Sequence, residues 1–222
     1  VYEQILKYWR DGRDKPAANE AYKGLMQLAA NTNIKSNIVH HDVIDAMIRQ
    51  PSSTATRPFA GNRLSKSITI NAAGYDMGRN GYAYFDNDTA NYYISTGGQR
   101  TAGNRGGAYR NDGVDIKAFA DGSGNFVTHI EDGEWLQYTV NVAAKGVYNV
   151  NLKVACDTVG TKVSVLNGKD YLTHNIVLPN TSAAGKWQLV KVAKVRLDKG
   201  ENKLRILANK GGFDLAEIQL GK

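Results

Sequence analysis

The sequence predicts a mainly β protein, a jelly-roll β-sandwich preceded by a short α-helical N-terminal segment. Three observations lead to this prediction. Apolar residues recur at spacings of three and four over residues 1–50, they alternate with polar residues from Ser67 onwards, and turn residues separate the alternating runs. Strands do not alternate with helical patterns after Ser67, which argues against a Rossmann-type or α/β-barrel domain.

The first 50 residues predict three short helices. Apolar side chains recur along one side of each, as Ala21, Leu25 and Leu28 do in the second. Helices this short gain most of their stability from packing, so we expect the segment to contact another part of the protein, as the tail of a catalytic domain or as an adapter. The chain begins at Val1 inside a helical pattern, and we therefore expect it to be a piece of a longer protein.

Residues 51–66 contain Pro, Ser and Thr in close succession and are predicted to be a linker. Residues 67–222 then form the predicted β-sandwich domain. Its alternating runs are 67–71, 135–142, 148–154, 162–166, 203–207 and 213–220. The run at 162–166 is followed by Asn167-Gly168, a dipeptide typical of hairpin turns.

Charge and composition exclude several classes of function. The chain has 28 basic and 21 acidic residues, with a net charge of +7 that is spread along its length. Nucleic-acid binding proteins usually concentrate such charge, so we expect no nucleic-acid partner, whereas an anionic polysaccharide stays open. No apolar run reaches the length of a membrane span. The single cysteine, Cys156, is predicted to be a small buried apolar residue.

Glu131, Asp132 and Glu134 form the densest group of acidic residues. A glycosidase needs two carboxylates on opposite sides of the scissile bond, and carboxylates on one turn do not bracket a sugar in this way. We therefore predict that this chain is not an enzyme.

Six of the twelve tyrosines lie within 35 positions, beside Asn, Asp and Arg residues. A flat aromatic ring can cover the apolar face of a sugar while amide and charged groups meet its hydroxyls. The clustered tyrosines are Tyr75, Tyr82, Tyr84, Tyr92, Tyr93 and Tyr109. This stretch therefore predicts a sugar-binding site.

Several segments, in the family's order, carry a resemblance to a known family. They are Ala-Tyr-Phe-Asp-Asn-Asp at 83–88, Gly-Ala-Tyr-Arg-Asn-Asp-Gly-Val-Asp-Ile at 107–116, Asp-Gly-Glu-Trp-Leu-Gln-Tyr-Thr-Val at 132–140, Trp-Gln-Leu-Val at 187–190, Lys-Leu-Arg-Ile at 203–206, and Gly-Gly-Phe-Asp-Leu at 211–215. With them, residues 67–222 resemble a family 6 carbohydrate-binding module. The resemblance implies a non-catalytic jelly roll that binds a polysaccharide or oligosaccharide through loops at one end. It also implies an attached catalytic domain, in a parent glycoside hydrolase that is secreted, periplasmic or on the surface of a bacterial-type cell.

The resemblance also implies roles for particular residues. Tyr109 corresponds to a tyrosine that stacks on the sugar, and Asp214 stands where an asparagine usually bonds sugar hydroxyls. A long loop before Tyr109 adds tyrosines and arginines, and arginines suit uronate or sulfate groups. The predicted carbohydrate-binding residues are Tyr92, Tyr93, Arg105, Tyr109, Arg110 and Asp214.

Members of this family often hold a structural calcium between carboxylates of the first and last strands. Here the corresponding positions are Asn71, Ala73 and Ala216. Calcium needs several hard oxygen ligands, so we predict no metal site and no cofactor.

Two other functions stay open. A second aromatic residue is expected to face Tyr109 from a later loop, but that position is Ala184. The domain would then be a structural spacer whose sugar site has decayed. Alternatively, the helices and the sandwich together form part of a glycoside hydrolase active site.

Overall fold

A computed structural model describes residues 1–87, 105–110, 112–182 and 185–222 of the chain. The chain divides into two compact units, Val1–Val43 and Ile44–Lys222. Among the described residues, no helix is both long and apolar enough to cross a membrane.

The first unit is a helical hairpin. Helix α1 (Tyr2–Asp11) ends at Gly12, whose φ of 69° suits a glycine, and helix α2 is Ala18–Asn31. Ile5 is buried, whereas no residue of α2 is buried. The predicted helices form, but this unit has almost no core of its own.

Helix α3 (His41–Ile48) completes the predicted set of three. Within the second unit, the buried Asp45 accepts hydrogen bonds from the Arg49 guanidinium and from Gln50. Arg49 also donates to the backbone oxygens of Ala55 and Met77. The end of α3 is therefore tied to the chain that follows it by an ion pair and by hydrogen bonds.

Residues 51–66, the predicted linker, contribute a strand to the sandwich. Strand β1 (Asn62–Leu64) pairs in parallel with residues 140–142, and Arg57 forms an isolated bridge with Met77. Leu64 is fully buried. The sandwich in the structure therefore begins before Ser67.

Twelve further strands follow among the described residues. They are β2 (Ser67–Asn71), β3 (Tyr84–Phe85), β4 (Ile116–Ala118), β5 (Asn125–Ile130), β6 (Trp135–Val142), β7 (Gly146–Ala155), β8 (Lys162–Asn167), β9 (Asp170–Tyr171), β10 (Ile176–Val177), β11 (Gln188–Leu197), β12 (Gly200–Lys210) and β13 (Phe213–Gly221).

The strands form two sheets. One has seven strands in the order β1-β6-β12-β8-β10, with β3 also on β6 and β9 also on β8. The other has six strands in the order β11-β7-β13-β5-β4, with β2 also on β13. The predicted mainly β sandwich preceded by helices is therefore confirmed.

The core lies between the sheets and follows the alternation that the sequence shows. Along β7, Tyr148, Val150, Leu152 and Val154 are fully buried, while the residues between them are partly exposed. Two core tyrosines donate their hydroxyls to backbone oxygens, Tyr138 to Ala72 at 2.8 Å and Tyr148 to Ala144 at 2.6 Å. Cys156 is 1% exposed, which confirms the prediction of a buried cysteine.

Candidate functional site

Tyr109 projects from a loop whose base is hydrogen-bonded to the start of β4. The Ala108 N–H donates to the Ile116 oxygen at 3.1 Å, which fixes the base of this loop. Tyr109 has a φ of 66°, an uncommon conformation for a residue with a side chain, and its side chain is 59% exposed. Its ring meets the Phe59 ring edge-on, with centroids 5.8 Å apart. Tyr109 is therefore held on one side and open to a ligand on the other.

Arg110, the next residue, faces the opposite way. It is 3% exposed, and its guanidinium donates to the backbone oxygens of Tyr75 and Asp76 and to the Asp112 carboxylate, the last at 2.7 Å. The same group lies 3.7 Å from the centroid of the Tyr75 ring. The prediction that Arg110 contacts sugar therefore needs correction, because its charged group is enclosed by protein and holds the Tyr109 loop in place.

Two buried tyrosines support the same loop. The Tyr75 hydroxyl donates to the Asp112 carboxylate, and the Tyr84 hydroxyl donates to the Asp112 backbone oxygen. Burial raises the pKa of Tyr75 well above its ordinary value, so this hydroxyl stays protonated and remains a donor. Of the tyrosines clustered in the sequence, these two are structural.

Arg105 is bound to carboxylates of the protein itself. Its Nε donates to Asp115 at 2.6 Å and its Nη2 to Glu131 at 3.0 Å, while its backbone N–H also donates to Asp115. The Arg105 side chain therefore joins the Tyr109 loop to the turn between β5 and β6. In this arrangement its charge is balanced by two acidic groups and is not directed at an anionic ligand.

Two adjoining cavities open at this end of the sandwich and share His129 and Gly212. The first, of about 240 Å³, is also lined by Thr128, Ala155, Asp157, Phe213 and Asp214. The second, wider cavity, of about 520 Å³, is also lined by Asn87, Arg105, Ile130, Glu131 and Asp132. We call the two together the loop-end cleft.

Asp214 is the predicted site residue that lies most clearly in the loop-end cleft. Its Oδ1 accepts a hydrogen bond from the Thr128 hydroxyl at 2.8 Å. Burial raises the pKa of Asp214, the Thr128 hydrogen bond opposes that change, and the charge of nearby Asp157 adds to it. A partly buried carboxyl on a cleft wall is suited to accept hydrogen bonds from ligand hydroxyls.

The acidic residues of the turn between β5 and β6 have structural partners. Glu134 accepts hydrogen bonds from the backbone N–H groups of Asn87 and Glu131, at 2.9 and 2.8 Å. Asp132 accepts from the Gly211 N–H at 2.7 Å, and Glu131 pairs with Arg105. These carboxylates therefore shape the wall of the cleft by binding neighbouring groups of the protein.

The structure brings Arg105 and Asp214 to one cleft and leaves Tyr109 outside its lining residues. Tyr92 and Tyr93 lie outside the described residues, as does Ala184. Sequence reasoning did not single out His129 or Asp157 as site residues. Neither stands in a recognisable motif, and only the meeting of β5, β7 and β13 places them together.

The positions of the usual calcium ligands do not fit a calcium site. Ala73 and Ala216 are buried and carry no side-chain oxygen, and the Asn71 Oδ1 accepts a hydrogen bond from the Ala73 N–H. Within the described parts of the chain, no group of three or more His, Cys, Asp or Glu residues could hold a metal ion.

Comparison with known proteins connects this architecture to a family. The family model for carbohydrate-binding module family 6 matches residues 108–222, which is more than half of the chain. The chain belongs to this family. The matched residues include Tyr109, the strands β4 to β13 and all of the loop-end cleft except Asn87 and Arg105.

Solved structures of the same family share the fold. The C-terminal family 6 module of the marine laminarinase LamC from Zobellia galactanivorans is 21% identical, with a TM-score of 0.50, over 70% of this chain and 99% of that one. A family 6 module from Clostridium stercorarium, solved with cellobiose, is 15% identical, with a TM-score of 0.51, over 73% and 98% of the two chains. At these identities the likeness concerns the fold alone. No curated protein sequence matches this family 6 module.

Proposed function

We propose that this family 6 module binds a glycan through the loop-end cleft, with Asp214 as a hydrogen-bond acceptor, and that it does not cleave the glycan. Tyr109, which is exposed on the loop that also carries the cleft residue Arg105, would supply a stacking surface. The main support is the position of Asp214, whose partly buried carboxyl lines a cleft at the loop end of a carbohydrate-binding sandwich. The carboxylates of Glu131, Asp132 and Glu134 bind groups of the protein, which supports a binding role over a hydrolytic one.

The wider role that we propose is to hold an attached polysaccharide-degrading enzyme close to its substrate. The first unit supports this role, because helix α2 has no buried residue and large apolar side chains such as Trp9, Tyr22 and Met26 are exposed. Such a surface needs a further partner, and a catalytic domain of the same polypeptide fits that need. We propose a secreted, periplasmic or cell-surface location, where polysaccharides occur.

A glycan microarray followed by affinity gel electrophoresis tests the binding function on the full chain of 222 residues. We expect retention on at least one polysaccharide and no release of reducing ends from it. Asp214→Ala and Tyr109→Ala should each weaken binding about tenfold or more, consistent with loss of 1–3 kcal/mol from a central contact. Tyr171→Ala is the control, because Tyr171 is an exposed tyrosine (47%) on β9 of the other sheet.

The other outcomes identify the competing functions. No binding across a broad array would support a spacer whose site has decayed. Release of products would support an enzyme. Unchanged affinity in both Asp214→Ala and Tyr109→Ala, with retention still observed, would show that the glycan binds elsewhere on the module.

A further inference from the structure

Phe59 contacts two consecutive residues of the Tyr109 loop. Its ring meets the Tyr109 ring edge-on, with centroids 5.8 Å apart and an angle of 70° between the planes. The Arg110 guanidinium lies 4.6 Å from the centroid of the same Phe59 ring. Edge-on aromatic pairs and cations close to an aromatic ring are both favourable electrostatic arrangements. One side chain therefore touches the exposed residue of the loop and the buried residue that anchors it.

The segment that carries Phe59 is fixed on both sides of this ring. Before it, the Arg57 N–H donates to the Met77 oxygen at 3.0 Å, and the Met77 N–H donates to the Arg57 oxygen at 2.7 Å. After it, strand β1 pairs in parallel with β6, and Leu64 at the end of β1 is fully buried. The position of the Phe59 backbone is therefore set by the sandwich itself.

The Thr56 side chain adds a further attachment to this segment. Its hydroxyl oxygen accepts hydrogen bonds from the Gln137 amide at 3.1 Å and from the Lys203 ammonium at 3.2 Å. Gln137 lies on β6 and Lys203 on β12, so two neighbouring strands of the seven-stranded sheet hold the chain just before Phe59.

Tyr109 needs such a neighbour. Its φ of 66° is uncommon for a residue with a side chain, and such conformations persist where the surrounding structure determines them. The hydrogen bond from Ala108 to Ile116 fixes the backbone at the base of the loop but not the direction of the exposed Tyr109 ring. An exposed side chain can change its rotamer, and a ring packed against one side restricts the choice.

Phe59 lies outside residues 108–222, which match the family model, whereas Tyr109 lies inside them. The sequence assigned Phe59 to the predicted linker. The structure therefore adds to the loop-end region a side chain that comes from the segment before the matched residues.

We propose that Phe59 is a positioning residue for glycan binding, which acts by holding the Tyr109 ring in the orientation that leaves one of its sides open to a sugar. This role rests on the proposed function, because it requires that Tyr109 stacks on the glycan. A ring that is already oriented loses less conformational freedom when the glycan binds, and the affinity is correspondingly higher.

A microarray printed with laminarin, hydroxyethyl cellulose, xylan, mannan and polygalacturonate, titrated with the full chain, tests this role. Phe59→Leu keeps an apolar side chain and removes the ring, and it should weaken binding about three- to tenfold. Phe59→Tyr restores the ring and should bind like wild type. The matched control is Phe119→Leu, because Phe119 is a partly buried ring that packs on Phe126 and Trp187. We expect this variant to keep the wild-type affinity.

A double variant separates positioning from a general structural role. Because Phe59 acts through Tyr109, Phe59→Leu combined with Tyr109→Ala should bind no more weakly than Tyr109→Ala alone. A side chain that only stabilised the fold would instead weaken binding by the same factor in both backgrounds. Thermal unfolding of each variant shows that the protein is folded at the temperature of the assay.

NMR spectra without any glycan test the contact itself. Tyrosine ring signals of the full chain are assigned with Tyr109→Phe, and we expect cross-peaks between the Phe59 and Tyr109 ring protons. Phe59→Leu should shift the Tyr109 ring signals and leave those of Tyr171, an exposed tyrosine on β9, unchanged.

The outcomes distinguish failure of this role from failure of the proposed function. Binding of wild type with unchanged affinity in Phe59→Leu, or with equal losses in both Tyr109 backgrounds, would overturn the role of Phe59 and leave the proposed function intact. Tyr109 ring signals that do not respond to Phe59→Leu would also overturn it. A wild-type protein that binds no glycan on the array would overturn the proposed function and the role of Phe59 together.

Discussion

The Asp214 carboxylate accepts a hydrogen bond from the Thr128 hydroxyl at 2.8 Å, which joins β13 to β5 at the wall of the loop-end cleft. Both residues lie where the register between these strands shifts at a β-bulge. Such irregularities turn side chains away from the regular alternation, and here they occur beside the candidate site.

The raised pKa of Asp214 predicts how stability depends on pH. A carboxyl whose pKa is higher in the folded than in the unfolded protein favours folding when it is protonated. That contribution is present below the ordinary aspartate value of about 3.9 and is lost as the pH rises through the folded pKa. Asp214→Asn, which keeps an oxygen for Thr128, should therefore unfold at a higher temperature than wild type at neutral pH.

This advantage should vanish as the pH falls below the ordinary aspartate value of about 3.9, because the wild-type carboxyl is then protonated in both states. Thermal unfolding at several pH values measures it. The control is Asp198→Asn, because the Lys145 ion pair lowers the pKa of Asp198 and the substitution should give no gain at neutral pH. A stabilisation of Asp214→Asn that is the same at both ends of the pH range would contradict the prediction.

Arg110 is predicted to stabilise the fold. Arg110→Met keeps the length of the side chain but leaves the backbone oxygens of Tyr75 and Asp76 without this donor and Asp112 without this cation. Loss of one partner of a buried ion pair costs about 3–5 kcal/mol, and we expect the free energy of unfolding in urea to fall by about 3 kcal/mol.

Arg63 provides the comparison for Arg110, since it is exposed on β1, and Arg63→Met should change the free energy of unfolding by less than about 0.5 kcal/mol. If the two variants were equally stable, Arg110 would not hold the Tyr109 loop.

Gly106 is predicted to be essential to the base of the same loop. A Cβ atom at this position would overlap the carbonyl group of Ile116, which belongs to the backbone and cannot rotate away. Gly106→Ala should therefore force the loop away from β4 and lower the free energy of unfolding by about 2 kcal/mol.

The control is Gly61→Ala, because a Cβ atom at Gly61 meets nothing within 4 Å. Urea unfolding should show little change for this variant. Equal stability of both variants would mean that the close approach of Gly106 to Ile116 does not occur in solution.

Part of the fold could be predicted from the sequence, because apolar and polar residues alternate along a half-buried strand. The run predicted at 135–142 coincides with β6 (Trp135–Val142), and the run at 213–220 lies within β13. Strand β1 was assigned to a linker, since three residues are too few to show a period and their partner, β6, lies far along the chain. Short strands of this kind are defined by their pairing.

The predicted site residues differ in the same way, because some are revealed by local motifs whereas the surroundings of others depend on distant parts of the chain. Tyr109 and Asp214 were predicted because they stand in family motifs, and in the structure the first is exposed and the second lies on a cleft wall. Arg110 stands in the same motif, but its burial under Tyr75 and Phe59 depends on segments more than thirty residues earlier in the chain. A charged loop residue gives no local sign of such burial.

The sequence by itself determined the sandwich, the preceding helices and the family motifs, because these depend on local periodicity and on residues close together in the chain. Only the tertiary structure decided which side chains share a surface. It placed His129, Asp157 and Asp214 in one cleft, because that cleft forms where β5, β7 and β13 meet. Side chains from distant strands become neighbours only through pairing and packing, and no local pattern records those contacts.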